Sequence, residues 1–176
     1  MRILAISGSL RAASSNSSLI GALQRLAPLD VLVVTYEGLG GLPHFNPDLD
    51  GEDEALPPPV LALRREIGGS DGVVICSPEY AHGVAGVMKN ALDWLVAGLE
   101  FPEKPVALIN ASPRATHANA HMRETLTTMS ARLIDAACVA VPLQGRNLDA
   151  EGIVADDGLA NALRAALTTF AREIAA

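Results

Sequence analysis

The first eighteen residues constrain this chain more than any other stretch. Arg2-Ile3-Leu4-Ala5-Ile6-Ser7 reads as an apolar strand that runs straight into Gly8-Ser9-Leu10-Arg11-Ala12-Ala13-Ser14-Ser15-Asn16-Ser17-Ser18. Leu19, Ile20, Leu23, Leu26 and Ala27 then recur at helical spacing, with Ser15 or Asn16 placed to cap the helix. A capped helix start presents N–H groups without intrahelical partners and a partial positive charge, and together these favour an anion. Ser9, Ser14, Ser17 and Ser18 add hydroxyls, and Arg11 adds a planar fork suited to phosphate. Such an opening belongs at the mouth of an α/β sheet. There is no Gly-x-Gly-x-x-Gly and no Gly-Lys-Ser/Thr, which excludes the dinucleotide fingerprint and the P-loop. No lysine precedes Lys89 and no acid sits in the loop, so a single terminal phosphate fits better than a magnesium-bound triphosphate. Capping alone would explain one serine, but not this density of polar positions.

Strict alternation extends the same architecture along the chain. Apolar, β-branched runs at 2–7, 30–35, 72–77, 105–110 and 136–141 alternate with helical patterns at about 17–27, 58–68, 86–98, 117–131 and 157–174. The runs at 31–34 and 73–76 are continuously apolar, as in strands buried on both faces. Alternation of this kind gives a parallel sheet with right-handed crossovers. The expected fold is a flavodoxin-like three-layer sandwich with a five-stranded sheet of order 2-1-3-4-5, the whole of 1–176 forming one domain. Its ligand crevice lies at the carboxyl ends of strands 1 and 3, which brings the first loop beside the loop after residue 77.

Bulk properties exclude several classes. A formal charge of −7 argues against a nucleic-acid or anionic-membrane surface. No apolar run approaches membrane-spanning length, and the first residues lack a signal-peptide pattern. Cys76 and Cys138 sit in apolar runs as small hydrophobes compatible with a reducing compartment, so the expected location is the cytoplasm. A hydrophobic content of 49% leaves apolar residues for a subunit interface.

The second loop is Ser77-Pro78-Glu79-Tyr80-Ala81-His82-Gly83-Val84-Ala85-Gly86, followed by the helix Val87-Met88-Lys89-Asn90-Ala91-Leu92-Asp93-Trp94-Leu95. Pro78 stops the strand, and Gly83 and Gly86 leave room for backbone to approach a flat ligand. With both loops in view, the chain resembles the NADPH-dependent FMN reductase family, whose members include quinone, chromate and azo reductases on a flavodoxin-like fold. Gly8-Ser9-Leu10-Arg11 with Ser14 and Asn16 is similar to that family's FMN-phosphate loop. Pro78-Glu79-Tyr80, with Gly86, Lys89-Asn90-Ala91 and Asp93-Trp94-Leu95, is similar to its isoalloxazine loop and following helix. The resemblance implies that Ser9, Arg11, Ser14, Ser15, Asn16 and Ser17 hold the phosphate, and that Pro78, Glu79, Tyr80, Ala81 and His82 border the ring. Ser112 is expected near the ring edge. Ala81 stands where the family usually has Asn and Ala85 where it usually has Pro, and the third loop, from Ala111 to His117, lacks the usual paired glycines while carrying Arg114 and His117.

The resemblance further implies bound FMN, NADPH or NADH as hydride donor, a quinone, azo compound, chromate or free flavin as acceptor, and a homodimer or homotetramer. No protein nucleophile or metal is expected, because the chemistry sits at flavin N5. A flavodoxin-type electron carrier, or a flavin-free nucleotide or sugar-phosphate binder, are the alternatives on the same fold. Glu79 reads as a rim carboxylate rather than a base, and Lys89 with Asp93 as an (i, i+4) pair. His117 and His121 have metal spacing but no third ligand, and Cys76 lies inside a strand rather than in a phosphatase loop. Leu42–Asp48 is a proline-rich excursion that either packs down or covers a neighbouring subunit's site. Met88, Trp94, Leu95 and Phe101 exceed one apolar stripe and are expected in the core or at a two-fold interface beside the ligand.

Overall fold

The computed structural model describes residues 1–51 and 56–176. Four parallel strands, β1 (Arg2–Ser7), β2 (Leu32–Tyr36), β3 (Gly72–Cys76) and β6 (Pro105–Asn110), lie in the order β2-β1-β3-β6. Between β3 and β6 a small antiparallel hairpin, β4 (Glu79–Tyr80) and β5 (Gly83–Val84), rises off the sheet. The fifth position is shared by β7 (Arg132–Leu133) and β8 (Val139–Ala140), each paired parallel to one end of β6. The expected order 2-1-3-4-5 is therefore present, but its last strand is broken rather than continuous over 136–141.

The break has a local cause. Asp135–Ala137 forms a 3-10 turn, and two alanines beside an aspartate have little β preference. Cys138 Sγ then accepts the Leu108 N–H at 3.3 Å, satisfying a donor that a regular fifth strand would have paired. Arg123 binds the Asp135 carboxylate from the neighbouring helix.

Helices cover both faces: α1 (Ser15–Leu26), α5 (Ala150–Ala155) and α6 (Asp157–Ala175) on one, α2 (Pro58–Gly68), α3 (Gly86–Asp93) and α4 (Thr116–Thr128) on the other. Strand residues divide between the two cores with period two. Ile3, Ala5, Val74, Cys76, Ala107 and Ile109 face α1 and α6, whereas Leu4, Ile6, Val73, Ile75, Val106 and Leu108 face α2, α3 and α4. Val60, Leu63 and Ile67 of α2 point inward as their spacing predicts, as do Leu159, Leu163, Leu167 and Phe170 of α6. Gly72 allows α6 to sit close, since a Cβ there would come within 2.9 Å of the Phe170 ring.

Several boundaries differ from expectation. Ser14, not Ser15 or Asn16, is the α1 cap: its Oγ accepts from the Asn16 N–H at 3.2 Å. The third helix stops at Asp93 instead of residue 98, because the Arg64 guanidinium takes the Trp94 carbonyl at 2.9 Å. The short α5, capped by Asp149 on the Gly152 N–H, has no counterpart in the sequence reading. Met88, Trp94, Leu95 and Phe101 are all at most 2% exposed within a single chain. They form core, not a two-fold interface. Asn90 donates from Nδ2 to the Pro43 carbonyl at 2.9 Å and accepts the Phe45 N–H at 2.8 Å, and Trp94 Nε1 donates to the same Pro43 carbonyl. The 42–48 excursion is thus pinned to its own chain, with Phe45 edge-on to Trp94 at 5.1 Å.

Candidate functional site

Gly8 sets the geometry of the crevice. Its N–H donates to the Cys76 carbonyl at 2.8 Å, and a Cβ there would come within 2.9 Å of Ser77 Cβ, so only glycine lets the two loops leave the sheet in contact. Above this point lies a cleft of about 300 Å³ lined by Ser15 and Asn16 from the first loop, Ser77, Pro78 and Glu79 from the second, and Ser112 and Arg114 from the third. Three loops from the carboxyl ends of β1, β3 and β6 therefore converge, as the switch-point rule requires.

The polar groups in this cleft are specific. The amino end of α1 aims its first-turn N–H groups at the wall that carries Ser15 and Asn16. Asn16 is buried, and its Oδ1 has no hydrogen-bond partner among the described residues. A buried carbonyl oxygen left unpaired costs about 1–3 kcal/mol, so a ligand hydroxyl or amide that donates to it is strongly favoured there. Glu79 does not reach into the space as a base. Its Oε2 accepts the Ala118 N–H at 2.8 Å, capping α4, whose own cap residue Ala115 has no side chain able to do so. That bond ties the second loop to the first turn of α4.

The predicted residues divide between neighbouring surfaces. Ser15, Asn16, Pro78, Glu79 and Ser112 share the first cleft. Ser9, Arg11 and Ser17 line a second cleft of about 410 Å³ on the other side of the α1 amino end, together with Thr35, Tyr36 and Glu37. Ser14 lies beneath, buried as the cap. Tyr80, Ala81 and His82 form the exposed tip of the hairpin and line neither cleft. Ala81 and His82 have φ of 49° and 60°, so the positive-φ residues of the turn are these two and not Gly83 beside them. His82 stacks on His117 of α4 with ring centroids 4.3 Å apart.

Gln144 is a cleft residue that the sequence reading missed. It sits in the loop after β8, and its Oε1 accepts from Arg114 Nε at 2.8 Å. Only its place past the carboxyl end of the last strand signals it. Cys76 lies beside the cleft floor, buried, and burial pushes its thiol far above the usual range, which leaves it no role as a nucleophile. Cys138 is also pushed up, chiefly by burial.

Comparison with known proteins agrees with this geometry. Residues 1–145 match the family model described as NADPH-dependent FMN reductase. An NAD(P)H-dependent FMN reductase of Pseudomonas aeruginosa is 32% identical over 162 residues, covering 89% of this chain and 86% of that protein. A quinone reductase of Escherichia coli K12 is 30% identical, covering 97% of this chain and 93% of that protein. Among solved structures, the flavoenzyme NAD(P)H:(acceptor) oxidoreductase FerB of Paracoccus denitrificans superposes with a TM-score of 0.85 at 30% identity, covering 99% of this chain and 97% of that one.

Proposed function

The chain belongs to the NADPH-dependent FMN reductase family, and from that premise we propose how its residues divide the work. The protein is an NAD(P)H-dependent flavin oxidoreductase, with FMN as cofactor and a quinone or similar small molecule as acceptor. In net terms NAD(P)H, one proton and a quinone give NAD(P)⁺ and a hydroquinone. Bound FMN supplies the ability to accept two electrons from one partner and release them to the next.

The observation that carries the residue assignment is Asn16, which lines a cleft with Ser77, Pro78 and Ser112 and whose buried Oδ1 has no partner among the described residues. A hydroxylated ligand fits that lining: Asn16 would accept from it, the Ser112 hydroxyl would bond its polar edge, and Pro78 and Glu79 would border it. Ser9, Arg11, Ser15 and Ser17, spread around the α1 amino end, hold its phosphate, with Ser14 keeping that end capped. Tyr80, Ala81 and His82 act from the rim, where the hairpin overhangs the approach of the second substrate. The enzyme is one domain acting in the cytoplasm as a homodimer or homotetramer. Tyr80, Val96 and Leu99, exposed at 58%, 64% and 92%, are among the apolar side chains left for subunit contact.

Because donor and acceptor use one cleft in turn, steady-state kinetics with NADPH and a small quinone give parallel double-reciprocal lines. Intersecting lines, with NADP⁺ and an acceptor analogue bound together, would overturn the single-cleft assignment.

A further inference from the structure

The cleft that holds Asn16 and Ser77 carries one arginine on its wall, Arg114. Its backbone N–H donates to Ser112 Oγ at 3.2 Å and its Nε to Gln144 Oε1 at 2.8 Å, and Gln144 Oε1 lies 3.3 Å from Ser112 Oγ. The side chain is thus fixed at its root and at its inner nitrogen. Its outer edge, Nη1 and Nη2, meets no carboxylate among the described residues, whereas Arg2, Arg64, Arg123 and Arg146 are each paired with one. Glu79, the carboxylate that lines the same cleft, is committed to the Ala118 N–H. On a chain of formal charge −7, a held guanidinium with a free outer edge at a cleft wall is shaped for an anion. The parallel N–H pair of that edge matches a carboxylate or sulfonate in two-point fashion.

Resting on the function given above, we propose that Arg114 determines acceptor specificity: it binds an acidic substituent of the acceptor, so the preferred acceptors are carboxylated or sulfonated quinones rather than neutral ones. Gln144 is a positioning residue that sets the direction of the fork. Electron transfer is unchanged by this contact, since the quinone still takes two electrons and two protons to become the hydroquinone, and the acidic group only anchors it.

The test compares a sulfonated naphthoquinone with its uncharged parent, reading the ratio of their kcat/KM values in wild type, Arg114→Gln, Arg114→Lys and Gln144→Ala. The ratio should fall by about tenfold or more in Arg114→Gln, the loss expected for one charge-assisted contact. It should recover in part in Arg114→Lys and fall less in Gln144→Ala. Equal losses for both quinones would overturn the proposal, as would a loss confined to kcat/KM for NADPH, which would assign the arginine to the donor's phosphates. A second reading needs no turnover. Calorimetric titration of the oxidised holoprotein, without donor, should show the sulfonated quinone losing affinity in Arg114→Gln relative to the neutral one, and an unchanged relative affinity would overturn it. A wild type that oxidises NAD(P)H with neither quinone would refute the oxidoreductase assignment, while the titration would still decide the role of Arg114.

Discussion

The hairpin beside the cleft stores backbone strain that can be measured. Glu79 pairs with Val84 and Tyr80 with Gly83, leaving Ala81 and His82 as a two-residue turn with φ of 49° and 60°. Turns with positive φ at both central positions favour Asn-Gly, because a Cβ in the left-handed region costs about 1–2 kcal/mol per residue. Asparagine tolerates that region through local hydrogen bonding, and it lacks the unfolded-state entropy that complicates a glycine substitution. Ala81→Asn should therefore recover about 1 kcal/mol, a rise in Tm of roughly 2–4 °C for a domain of this size. Ala81→Val, β-branched at the same φ, should move stability the other way by at least as much. Urea unfolding followed by circular dichroism, with an unchanged m value, gives the comparison. An order other than Asn above Ala above Val would refute the left-handed turn and the strain attributed to it.

Two further outcomes follow from the same contacts. Arg11→Ala should weaken FMN binding by about 1.5–3 kcal/mol in a fluorescence titration while leaving riboflavin binding nearly unchanged, and equal losses for both would assign Arg11 to the fold. Trp94→Glu places a carboxylate where the native indole is 0% exposed and bonded to Pro43, and should cost more than about 4 kcal/mol of stability. Thermal melts should show it unfolded, and a stably folded variant altered only in subunit assembly would refute the core placement.

The first four sheet strands and their order were legible because each run is apolar and bounded by turn residues, and burial on two faces leaves such runs few alternatives. The fifth was legible in place but not in form, since its break joins the local turn at Asp135–Ala137 to a tertiary contact, the Cys138 sulfur standing in for a strand partner of Leu108. The loop before α1 was legible as a capped helix start, although the cap moved to Ser14, where extended backbone lets Oγ reach Asn16 N–H. For the excess apolar residues after Gly86, the choice between core and interface was not legible for a long-range reason. Asn90 and Trp94 grip a segment more than forty residues earlier in the chain, and no local pattern reveals that Pro43 and Phe45 come back to cover them. Gln144 escaped for the same reason, being tied to Arg114 across 30 positions.

The central claim, that this cleft binds FMN and that the chain itself takes hydride from NAD(P)H, is tested most directly by anaerobic titration of the purified protein with NADPH. The account predicts a yellow protein, or one that takes up FMN, whose flavin absorption bleaches with one equivalent of NADPH and returns on adding a quinone. A protein that cannot be loaded with FMN, or whose bound flavin keeps its colour until a second protein is supplied, would contradict it.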